Sequence, residues 1–327
     1  MEVVIVGGCG FVGSHLAKYF AEKGVKVKTI DLKEQSKELL DLGINHETCD
    51  IINFEDLERK IGNPDILINT AIIQIPAINE KIELAYNVNI RTTQKLCELV
   101  HKSDKIKGMI LTGSWHVIGE VDIKGIIDET YGLRPDKVDE RSRLYTLNKI
   151  AQESVMRIYD AFSDKVFAVI RLSTVLGEGM PEKSAANVFI NQALKGEDLT
   201  PYKSNMFRPM IYVSIDDSVK AIYNLAELIF DESSIVHNNF VNVFNIGYPK
   251  AMNVLVLAES ILEIIKRNIG TKSKIKIVDD GKSINNSPEE KDQFYFDVSK
   301  AQKYLGIKEF ESPYAILEKI IKGRISQ

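Results

Sequence analysis

A tyrosine and a lysine four residues apart are the side chains of this sequence best suited to proton transfer. Tyr145 and Lys149 fall on one face of a predicted helix, because residues i and i+4 are neighbours there. A tyrosine with a pKa near ~10 is a poor acid or base at neutral pH, but a lysine cation one turn away is expected to lower that pKa. The pair could therefore exchange a proton with a hydroxyl-bearing substrate. The same spacing also arises on ordinary helix surfaces.

Ser114 is the candidate for a third member of this group. It follows an apolar run that ends at Leu111 and Thr112, and open α/β sheets bind their ligands at such strand ends. Gly113 is expected to permit a turn that exposes the Ser114 hydroxyl. That hydroxyl could hold the substrate oxygen while the tyrosine passes the proton. An ordinary turn serine is the alternative.

Three glycines near the start of the chain are spaced to hold the phosphates of a dinucleotide. Gly7, Gly10 and Gly13 follow the apolar run 2–6 and directly precede a helical pattern. One glycine would make the sharp turn, one would let the backbone approach the pyrophosphate, and one would let helix and strand pack closely. The phosphates would then lie at the positive N-terminus of the helix.

The acid that ends the second predicted strand indicates which dinucleotide binds. Asp31 lies 18 residues after Gly13, close to the ~20 expected for the residue that binds the ribose hydroxyls. A carboxylate there repels a 2′-phosphate, so NAD is favoured over NADP, although Lys33 weakens the argument slightly. A solvated strand-end acid is the alternative. Asp50 could bind the adenine amino group, or it could be an exposed aspartate.

Apolar runs alternate with helical patterns through the first half of the chain, which predicts a parallel sheet with helices on both faces. The fold class is therefore α/β, a Rossmann-type doubly wound parallel sheet with a smaller mixed α/β substrate-binding lobe at the C-terminus. The predicted strands are 2–6, 26–30, 66–70, 107–112, 166–172, 208–213, 238–246 and 272–278. The predicted helices are 11–23, 144–162, 185–194, 218–230, 254–267, 298–305 and 315–322, and 279–292 is a predicted surface loop.

The regular alternation of predicted strands and helices stops near residue 173, which predicts that the chain consists of two parts. Residues 1–172, with about 211–243 returning to them, would form the dinucleotide-binding domain. Residues 173–210 and 244–327 would form the lobe that binds the substrate. The chain of 327 residues is long enough for two such units.

The composition of the chain indicates which binding partners and which cellular compartment to expect. The net charge is −4, and acidic and basic residues are interspersed, so neither nucleic acid nor a membrane surface is an expected partner. The three cysteines are widely spaced, which predicts no disulfide framework and no metal site. We expect a cytoplasmic protein without a membrane span.

These motifs, taken in order, resemble the extended short-chain dehydrogenase/reductase superfamily, in its NAD-dependent epimerase/dehydratase branch. The resemblance covers nearly the whole chain and is specific for the superfamily, and much less so for the substrate. Its pieces are Gly7 to Gly13, Asp31, Asp50-Ile51, Pro64-Asp65, Asn69 to Ala71, Asn87 to Asn89, Ser114 with Val117 and Gly119, Tyr145 with Lys149, Arg171 with Val175 and Gly177, Asn245 to Gly247, and Asp297 with Ser299 to Ala301 and Leu305-Gly306.

The resemblance implies roles for individual residues. Ser114, Tyr145 and Lys149 would be the catalytic triad. The NAD site would be lined by Gly7, Gly10, Phe11, Val12, Asp31, Asp50, Ile51, Ala71, Asn89, Tyr145 and Lys149. A sugar nucleotide would be contacted by Ser114, His116, Thr174, Asn187 and Arg208. The helices at 92–101 and 145–162 would pair across a two-fold axis as a four-helix bundle, which makes a homodimer.

Several positions depart from the family pattern. Trp115 and His116 stand where dehydratases of this branch carry an Asp-Glu pair, so elimination of water is disfavoured. Thr174 replaces a usual asparagine, and Arg208-Pro209 replaces a usual Arg-Asp pair. His116 could shape the substrate pocket or be a supporting or exposed histidine. Trp115 could stack on a ligand or cover apolar surface, and Arg208 could bind a diphosphate or form a salt bridge.

Three hypotheses follow. The first is an NAD-dependent epimerase or oxidoreductase that acts on a hydroxyl of a nucleotide sugar, with tyrosine-assisted hydride transfer through a keto intermediate. The second is a dehydrogenase or reductase of a sterol-like or other non-nucleotide alcohol. The third is a dinucleotide-sensing protein without catalysis. The intact tyrosine and lysine argue against the third.

Overall fold

A computed structural model describes residues 1–232, 242–284 and 286–326 of the chain. The strands of this part are β1 (Glu2–Val6), β2 (Lys26–Asp31), β3 (Asn45–Thr48), β4 (Ile66–Asn69), β5 (Gly108–Ser114), β6 (Gly125–Ile127), β7 (Val166–Leu172), β8 (Thr174–Leu176), β9 (Pro209–Met210), β10 (Tyr212–Ser214), β11 (Val243–Ile246), β12 (Met252–Asn253) and β13 (Phe294–Phe296). Seven of them form one parallel sheet in the order β11-β7-β5-β4-β1-β2-β3.

The helices of the same part surround this sheet. They are α1 (Phe11–Glu22), α2 (Lys37–Asp41), α3 (Phe54–Ile61), α4 (Ala77–Glu80), α5 (Ile82–Ala85), α6 (Thr92–Lys102), α7 (Arg143–Phe162), α8 (Ala185–Leu194), α9 (Ile215–Phe230), α10 (Val254–Ile269), α11 (Ser299–Tyr304) and α12 (Pro313–Ile325). A π-helical segment, Tyr86–Arg91, leads into α6, and 3-10 turns occur at Trp115–Ile118, Pro135–Lys137, Glu140–Ser142 and Pro288–Asp292.

The central strands are apolar because both faces of the sheet are covered. Every residue of β4, β5, β7 and β11 is buried, as expected for parallel strands between two helical layers. Along β1, Val3 and Ile5 join the core that α1 and α9 cover, while Val4 and Val6 join the core under α3, α6 and α7. The Rossmann-type fold predicted from the sequence is confirmed.

Three small sheets lie outside the central one. β8 pairs in parallel with β10, β6 pairs in parallel with β13, and β9 pairs antiparallel with β12. Helices α8, α10 and α12 pack on one another beside them. The predicted two-part division stays a prediction, and β11, a strand of the central sheet, crosses its boundary at residue 244.

Two predicted strands are corrected. The run 208–213 is divided at Ile211 into β9 and β10, because its two halves pair with different strands. β9 then pairs with β12 and β10 with β8. The run 272–278 forms no strand, and its β pairing is limited to isolated bridges of Ile275 with Leu199 and of Val278 with Tyr202.

The last strand and the polar loop are also refined. The predicted strand 238–246 is observed as β11, and residues 238–241 lie outside the described residues. The predicted loop 279–292 contains the 3-10 turn at Pro288–Asp292, which begins with a capping box of Ser287 and Glu290.

Gly113 does not form the predicted turn. It lies inside β5, and a Cβ there would stand 2.6 Å from Cγ1 of Val169. The glycine is therefore needed for close packing of neighbouring strands, and the strand continues to Ser114. The sequence pattern also missed β3, because an edge strand made of the polar residues Asn45–Thr48 has no apolar run.

No helix in the described ranges is both long and apolar enough to cross a bilayer. All three cysteines are free thiols. Within the same ranges, no cluster of three or more His, Cys, Asp or Glu side chains is arranged to hold a metal ion.

Candidate functional site

The glycine loop connects β1 to α1 at the point where the strand order of the sheet reverses. Gly7 has a φ of +81°, and a Cβ there would stand 2.6 Å from the backbone nitrogen of Ala71. A Cβ on Gly13 would stand 2.2 Å from the carbonyl oxygen of Gly7. A Cβ on Gly10 would meet only that same oxygen, at 3.3 Å. Gly7 thus makes the turn and Gly13 the close packing, whereas the surface above Gly10 is open.

The N-terminus of α1 is arranged to receive an anion. Its N-cap is Gly10, which has no side chain to accept a hydrogen bond, and its first turn contains no acidic residue. The amide groups of that turn therefore retain their capacity to bind an external acceptor. Phe11 and Val12 begin the helix, and the Phe11 ring lies beside Gly177 and Gly179.

Asp31 is fixed beside this loop by the backbone. Its Oδ2 accepts a hydrogen bond from the amide of Cys9 at 3.0 Å, and its Oδ1 accepts one from the amide of Lys33 at 3.0 Å. The carboxylate therefore stands next to the glycine loop, where the predicted ribose contact requires it. Lys33 contributes its backbone amide to this arrangement.

The other predicted cofactor residues lie at the ends of the neighbouring strands. Asp50 is exposed and accepts a hydrogen bond from the Ile52 amide, whereas Ile51 is buried. The Ala71 amide donates to Asn69 Oδ1 at 3.1 Å.

Asn89, a further predicted cofactor residue, is wholly buried and makes its bonds within the chain. Its Oδ1 accepts from the Ile73 amide at 2.8 Å, and its Nδ2 donates to Ile73 O and to Asn148 Oδ1 at 3.2 Å. Asn89 thus connects the segment after β4 to the helix of Tyr145.

The predicted triad is assembled where β5 ends and α7 begins. Ser114 is the last residue of β5 and is buried, not exposed as expected. Its Oγ lies 3.0 Å from Nδ1 of His116, and the His116 ring meets the Tyr145 ring edge-on at 5.8 Å between centroids. The structure therefore brings Ser114, His116 and Tyr145 together.

The expected lowering of the tyrosine pKa by lysine is not observed. Burial raises the pKa of Tyr145, and a hydrogen bond with Ser114 offsets part of that rise. Nζ of Lys149 instead donates to the carbonyl oxygen of Thr112 at 2.7 Å. The sequence placed the two side chains one turn apart correctly, but the direction of the ammonium depends on the strand beneath it.

The pKa of Lys149 is itself strongly shifted. Lys149 is only 3% exposed, and this burial lowers the pKa of its ammonium group from 10.5 to about 7. A lysine in this range can change its charge near neutral pH when a ligand enters.

We expect this perturbation to make the stability of the protein depend on pH. The unfolded chain holds the Lys149 proton up to a higher pH than the folded chain, so the free energy of unfolding rises as pH increases above the folded pKa. The rise between about pH 7 and about pH 9 should be on the order of 2 kcal/mol. Lys149→Met should lack this component of the rise. Urea unfolding of both ligand-free proteins measures it, and parallel pH curves would contradict the assignment.

Glu120 is a functional candidate that the sequence analysis missed. It follows His116 by four residues, and its Oε1 lies 3.5 Å from His116 Nε2 and 3.5 Å from Arg141 Nη2. Its Oε2 accepts a hydrogen bond from the Ser142 hydroxyl. Despite its burial, its pKa is lowered by His116 and Arg141, with Arg208 and Ser142 adding to the effect. The i,i+4 spacing from His116 was the signal available in the sequence.

Glu120 and Arg208 line a polar cavity of about 520 Å³, together with Arg143, Asn286 and Glu290. Burial lowers the pKa of the Arg208 guanidinium. Its Nε and Nη1 are buried and have no hydrogen-bond partner within the described part of the chain. The alternative of a salt bridge at Arg208 has no ion pair to support it among the described residues. A guanidinium with unpaired donors beside a polar cavity is suited to an anion.

The remaining predicted substrate residues lie in the lobe. Thr174 begins β8, and its amide donates to Ile211 O at 2.9 Å. Asn187 is buried: its Oδ1 accepts from Nη1 of Arg324 at 2.7 Å, and its Nδ2 donates to Met180 O at 3.3 Å. The Asn187 carboxamide therefore joins α8 to α12, and its contact with a substrate stays a prediction.

Trp115 is placed in the core instead of a ligand site. Its exposed fraction is 0%, and it packs with the apolar residues beneath α1 and α9. Of the two interpretations of this residue, the covering of apolar surface is therefore the one observed.

Comparison with known protein families shows which family the chain belongs to. Residues 3–247 match the family model described as the NAD dependent epimerase/dehydratase family. The chain belongs to this family. The matched range contains the glycine loop, Asp31 and the predicted triad, and the family description names the predicted cofactor, NAD. The resemblance identified from the sequence motifs is thus confirmed.

Two curated relatives of this family member span nearly its whole length. A putative UDP-glucose 4-epimerase of Methanocaldococcus jannaschii is 27% identical over 311 residues, which cover 92% of this chain and 91% of that protein. UDP-glucuronic acid decarboxylase 3 of Arabidopsis thaliana is 27% identical over 312 residues, covering 94% and 84%. The names of these two relatives refer to nucleotide sugars and to two different reactions.

A solved structure agrees with the fold of this family member. The UDP-glucose 4-epimerase of Thermotoga maritima, solved with UDP-glucose, superposes with a TM-score of 0.78 at 21% identity. The superposition covers 100% of this chain and 99% of that one. At this identity the likeness concerns the fold, and it extends over the central sheet and the C-terminal elements alike.

Proposed function

We propose that the chain is an NAD-dependent epimerase that acts on a hydroxyl of a nucleotide sugar through a keto intermediate. The observation that carries the proposal is the convergence of Ser114, Tyr145 and His116 at the carboxyl end of β5, with Lys149 one helix turn away. Ligands of doubly wound sheets bind at this end of the strands. The names of both curated relatives described above refer to uridine-diphosphate sugars, which supports the substrate class.

The residues around the glycine loop are suited to bind NAD. The uncapped N-terminus of α1 and the open surface above Gly10 suit a pyrophosphate, and Asp31 stands where two ribose hydroxyls can donate to it. Lys149 would hold the nicotinamide ribose, and Asp50 the adenine. Bound NAD supplies a nicotinamide ring that accepts a hydride and returns it.

The chain's own residues would control the proton. Tyr145 would take the proton of the substrate hydroxyl, and Ser114 would hold the oxygen from which it leaves. When the keto group has turned, the same tyrosine would return the proton. Trp115 and His116 follow Ser114 directly, so neither position carries an acid that could assist elimination of water.

Arg208 would bind the diphosphate of the substrate. Its buried Nε and Nη1 face no acceptor within the described ranges, and leaving such donors unpaired is costly. A diphosphate in the cavity would supply the missing acceptors and hold the sugar near Ser114.

The homodimer and the cytoplasmic location stay predictions. The dimer is supported by the outer face of α7, where Leu147, Ile158 and Phe162 are exposed and fall on one side of the helix. Helix α7 packs against α6, as the predicted bundle requires.

Incubation with nucleotide sugars tests the proposed activity. The purified chain, supplied with NAD and UDP-glucose, UDP-galactose or UDP-glucuronic acid, should form the epimer, detected by proton NMR of the sugar. Absorbance should show no net NADH, because the hydride returns. Net NADH production from a non-nucleotide alcohol such as a sterol would instead favour the dehydrogenase. NAD binding without turnover of any of these compounds would favour the sensing protein.

A further inference from the structure

Glu120 contacts both of the segments that supply the proposed catalytic residues. Ser114 is the last residue of β5, whereas Tyr145 lies in the first turn of α7. The distance between their hydroxyl groups therefore depends on how these two segments are held together. One carboxylate oxygen of Glu120 lies near the segment that follows β5, and the other is bonded to the residue that precedes α7.

The first of these contacts leads to Ser114 through His116. Oε1 of Glu120 lies 3.5 Å from Nε2 of His116, and Nδ1 of the same ring lies 3.0 Å from Ser114 Oγ. The backbone amide of His116 also donates to Ser114 Oγ, at 3.3 Å. The imidazole is thus in contact with the Ser114 hydroxyl on one side and with the carboxylate on the other. We call this pair of contacts the His116 link.

The second contact leads to Tyr145 through Ser142. Oε2 of Glu120 accepts a hydrogen bond from the Ser142 hydroxyl. Ser142 is the N-cap residue of α7, but its side chain accepts no capping hydrogen bond from the helix. Its hydroxyl is used for Glu120 instead, with Asp139 O as a second acceptor at 3.3 Å. Because Tyr145 follows Ser142 by three residues, this Ser142 link holds the helix turn that carries the phenol.

The backbone fixes the position of Glu120 itself. Gly119 turns the chain after the 3-10 turn Trp115–Ile118 with a φ of +75°, and a Cβ there would stand 2.8 Å from the carbonyl oxygen of Lys137. The Glu120 amide donates to that same oxygen at 2.9 Å. The side chain then extends into the interior, where it is 2% exposed. Both links therefore start from an anchored residue.

Glu120 is ionised in this position. Although burial opposes ionisation, its pKa is lowered, mainly by His116 and Arg141. An ionised carboxylate only accepts hydrogen bonds, so the Ser142 hydroxyl is the donor in its link. Burial lowers the pKa of His116 to about 4, so the ring is neutral near pH 7. No proton has to move for either link to form.

We propose that Glu120 is a positioning residue that fixes the separation of the Ser114 hydroxyl and the Tyr145 phenol. It acts through His116 on one side and through Ser142 on the other. The inference rests on the proposed function, because the two hydroxyl groups are those of the same reaction. Glu120 and Ser142 do not touch the reacting atoms, and the catalytic residues remain Ser114 and Tyr145.

The contacts close into a ring, which makes the positioning effective. The His116 ring meets the Tyr145 ring edge-on, so the two links are joined again beside the phenol. Catalytic groups keep a productive geometry when their neighbours lock them by packing and hydrogen bonds. A misplacement of about 1 Å can lower a rate by about 10²-fold. Loss of either link should therefore lower turnover although both catalytic hydroxyl groups remain.

The two links can be removed one at a time. Ser142→Ala removes its hydroxyl without loss of a helix cap. His116→Phe removes both ring nitrogens and keeps an aromatic ring beside Tyr145. With UDP-glucose and NAD, each variant should lower kcat by about 10-fold and leave KM within about threefold. Replacement of Glu120 would itself unbalance the buried charge of Arg208, which interacts with this carboxylate.

The double variant distinguishes a shared role from two separate ones. In the part of the chain that the structure describes, Ser142 and His116 form no hydrogen bond with each other, so independent effects would multiply to about 10²-fold. If Glu120 joins them, loss of the second link adds little, and kcat of the double variant should lie within about threefold of the slower single variant. Multiplying effects, or single variants with the wild-type kcat, would overturn the proposal.

His101→Phe and Ser163→Ala are the matched controls. They also separate a histidine from a serine, because His101 Nδ1 lies 2.9 Å from Ser163 Oγ. This pair lies at the opposite end of α7 from Tyr145. Both control variants and their combination should keep the wild-type kcat.

A second measurement does not require turnover. Trp115 is the only tryptophan of the chain, is 0% exposed, and its ring lies 5.0 Å from the His116 ring. Acrylamide should quench its fluorescence poorly in the wild type, and about threefold more strongly in Ser142→Ala, because the loosened link admits local opening. The Ser163→Ala control should match the wild type. Unchanged quenching in Ser142→Ala would overturn the coupling, whereas absence of turnover by the wild type would overturn the proposed function.

Discussion

Tyr145→Phe should lower the turnover number by about 10³-fold or more, with little change in affinity for NAD. The variant keeps the aromatic ring that packs edge-on against His116, but it removes the hydroxyl that we propose exchanges a proton with the substrate. Removal of a positioned general acid or base typically lowers the rate by about 10²–10⁴-fold. Steady-state kinetics with UDP-glucose and a fluorescence titration with NAD measure the two quantities.

Tyr159→Phe is the control for this experiment. Tyr159 lies on the same helix, and its hydroxyl accepts a hydrogen bond from Gln94 Nε2 at 3.4 Å, away from the triad. That variant should retain the wild-type rate. If Tyr145→Phe turned over within a few-fold of wild type, Tyr145 would not be the proton carrier.

Gly13→Ala should abolish measurable NAD binding and destabilise the fold. The added Cβ would stand 2.2 Å from the Gly7 carbonyl oxygen and 2.9 Å from the Gly8 Cα. Both are backbone atoms of the loop that must cradle the pyrophosphate, so relief of the clash requires the loop to move. Overpacking of this kind costs about 1–3 kcal/mol and sometimes more. Calorimetric titration with NAD and urea unfolding measure the two effects.

Gly323→Ala is the matched control for the glycine experiment. Gly323 also lies within a helix, α12, and a Cβ there would have no neighbouring atom within 4 Å. Alanine is the better helix former by about 0.5–1 kcal/mol, so this variant should bind NAD normally and be slightly more stable. Equal NAD affinity of Gly13→Ala and Gly323→Ala would contradict the role assigned to the loop.

The glycine loop and the helix of Tyr145 and Lys149 could be predicted because their signals are local. Gly7, Gly10 and Gly13 act within one strand-to-helix connection, and their spacing is sufficient to define it. Tyr145 and Lys149 are neighbours in any regular helix. The predicted bounds of β1, β2, β4, β5, β7, α1 and α7 are correct to within two residues for the same reason.

The prediction that Ser114 lies at a strand end is met, but the reason given for Gly113 was wrong. The sequence pattern indicates Ser114 as the residue after a strand, with Gly113 as a turn. Ser114 is in fact the last residue of β5, and Gly113 is required by the side chain of Val169 on the neighbouring strand. The sequence shows that residue 113 is a glycine, but it does not show that the Val169 side chain lies too close to admit a Cβ there.

The amino-acid sequence by itself determined the parallel sheet, the phosphate loop and the one-turn spacing of Tyr145 and Lys149, because each depends on residues close together in the chain. The tertiary structure decided which groups these residues meet. It buried Trp115, directed Lys149 to Thr112 and brought Ser142 to Glu120 behind His116. Burial and hydrogen-bond partners depend on segments that are distant in the sequence but adjacent in the fold. The periodicity of residues along the chain does not indicate those contacts.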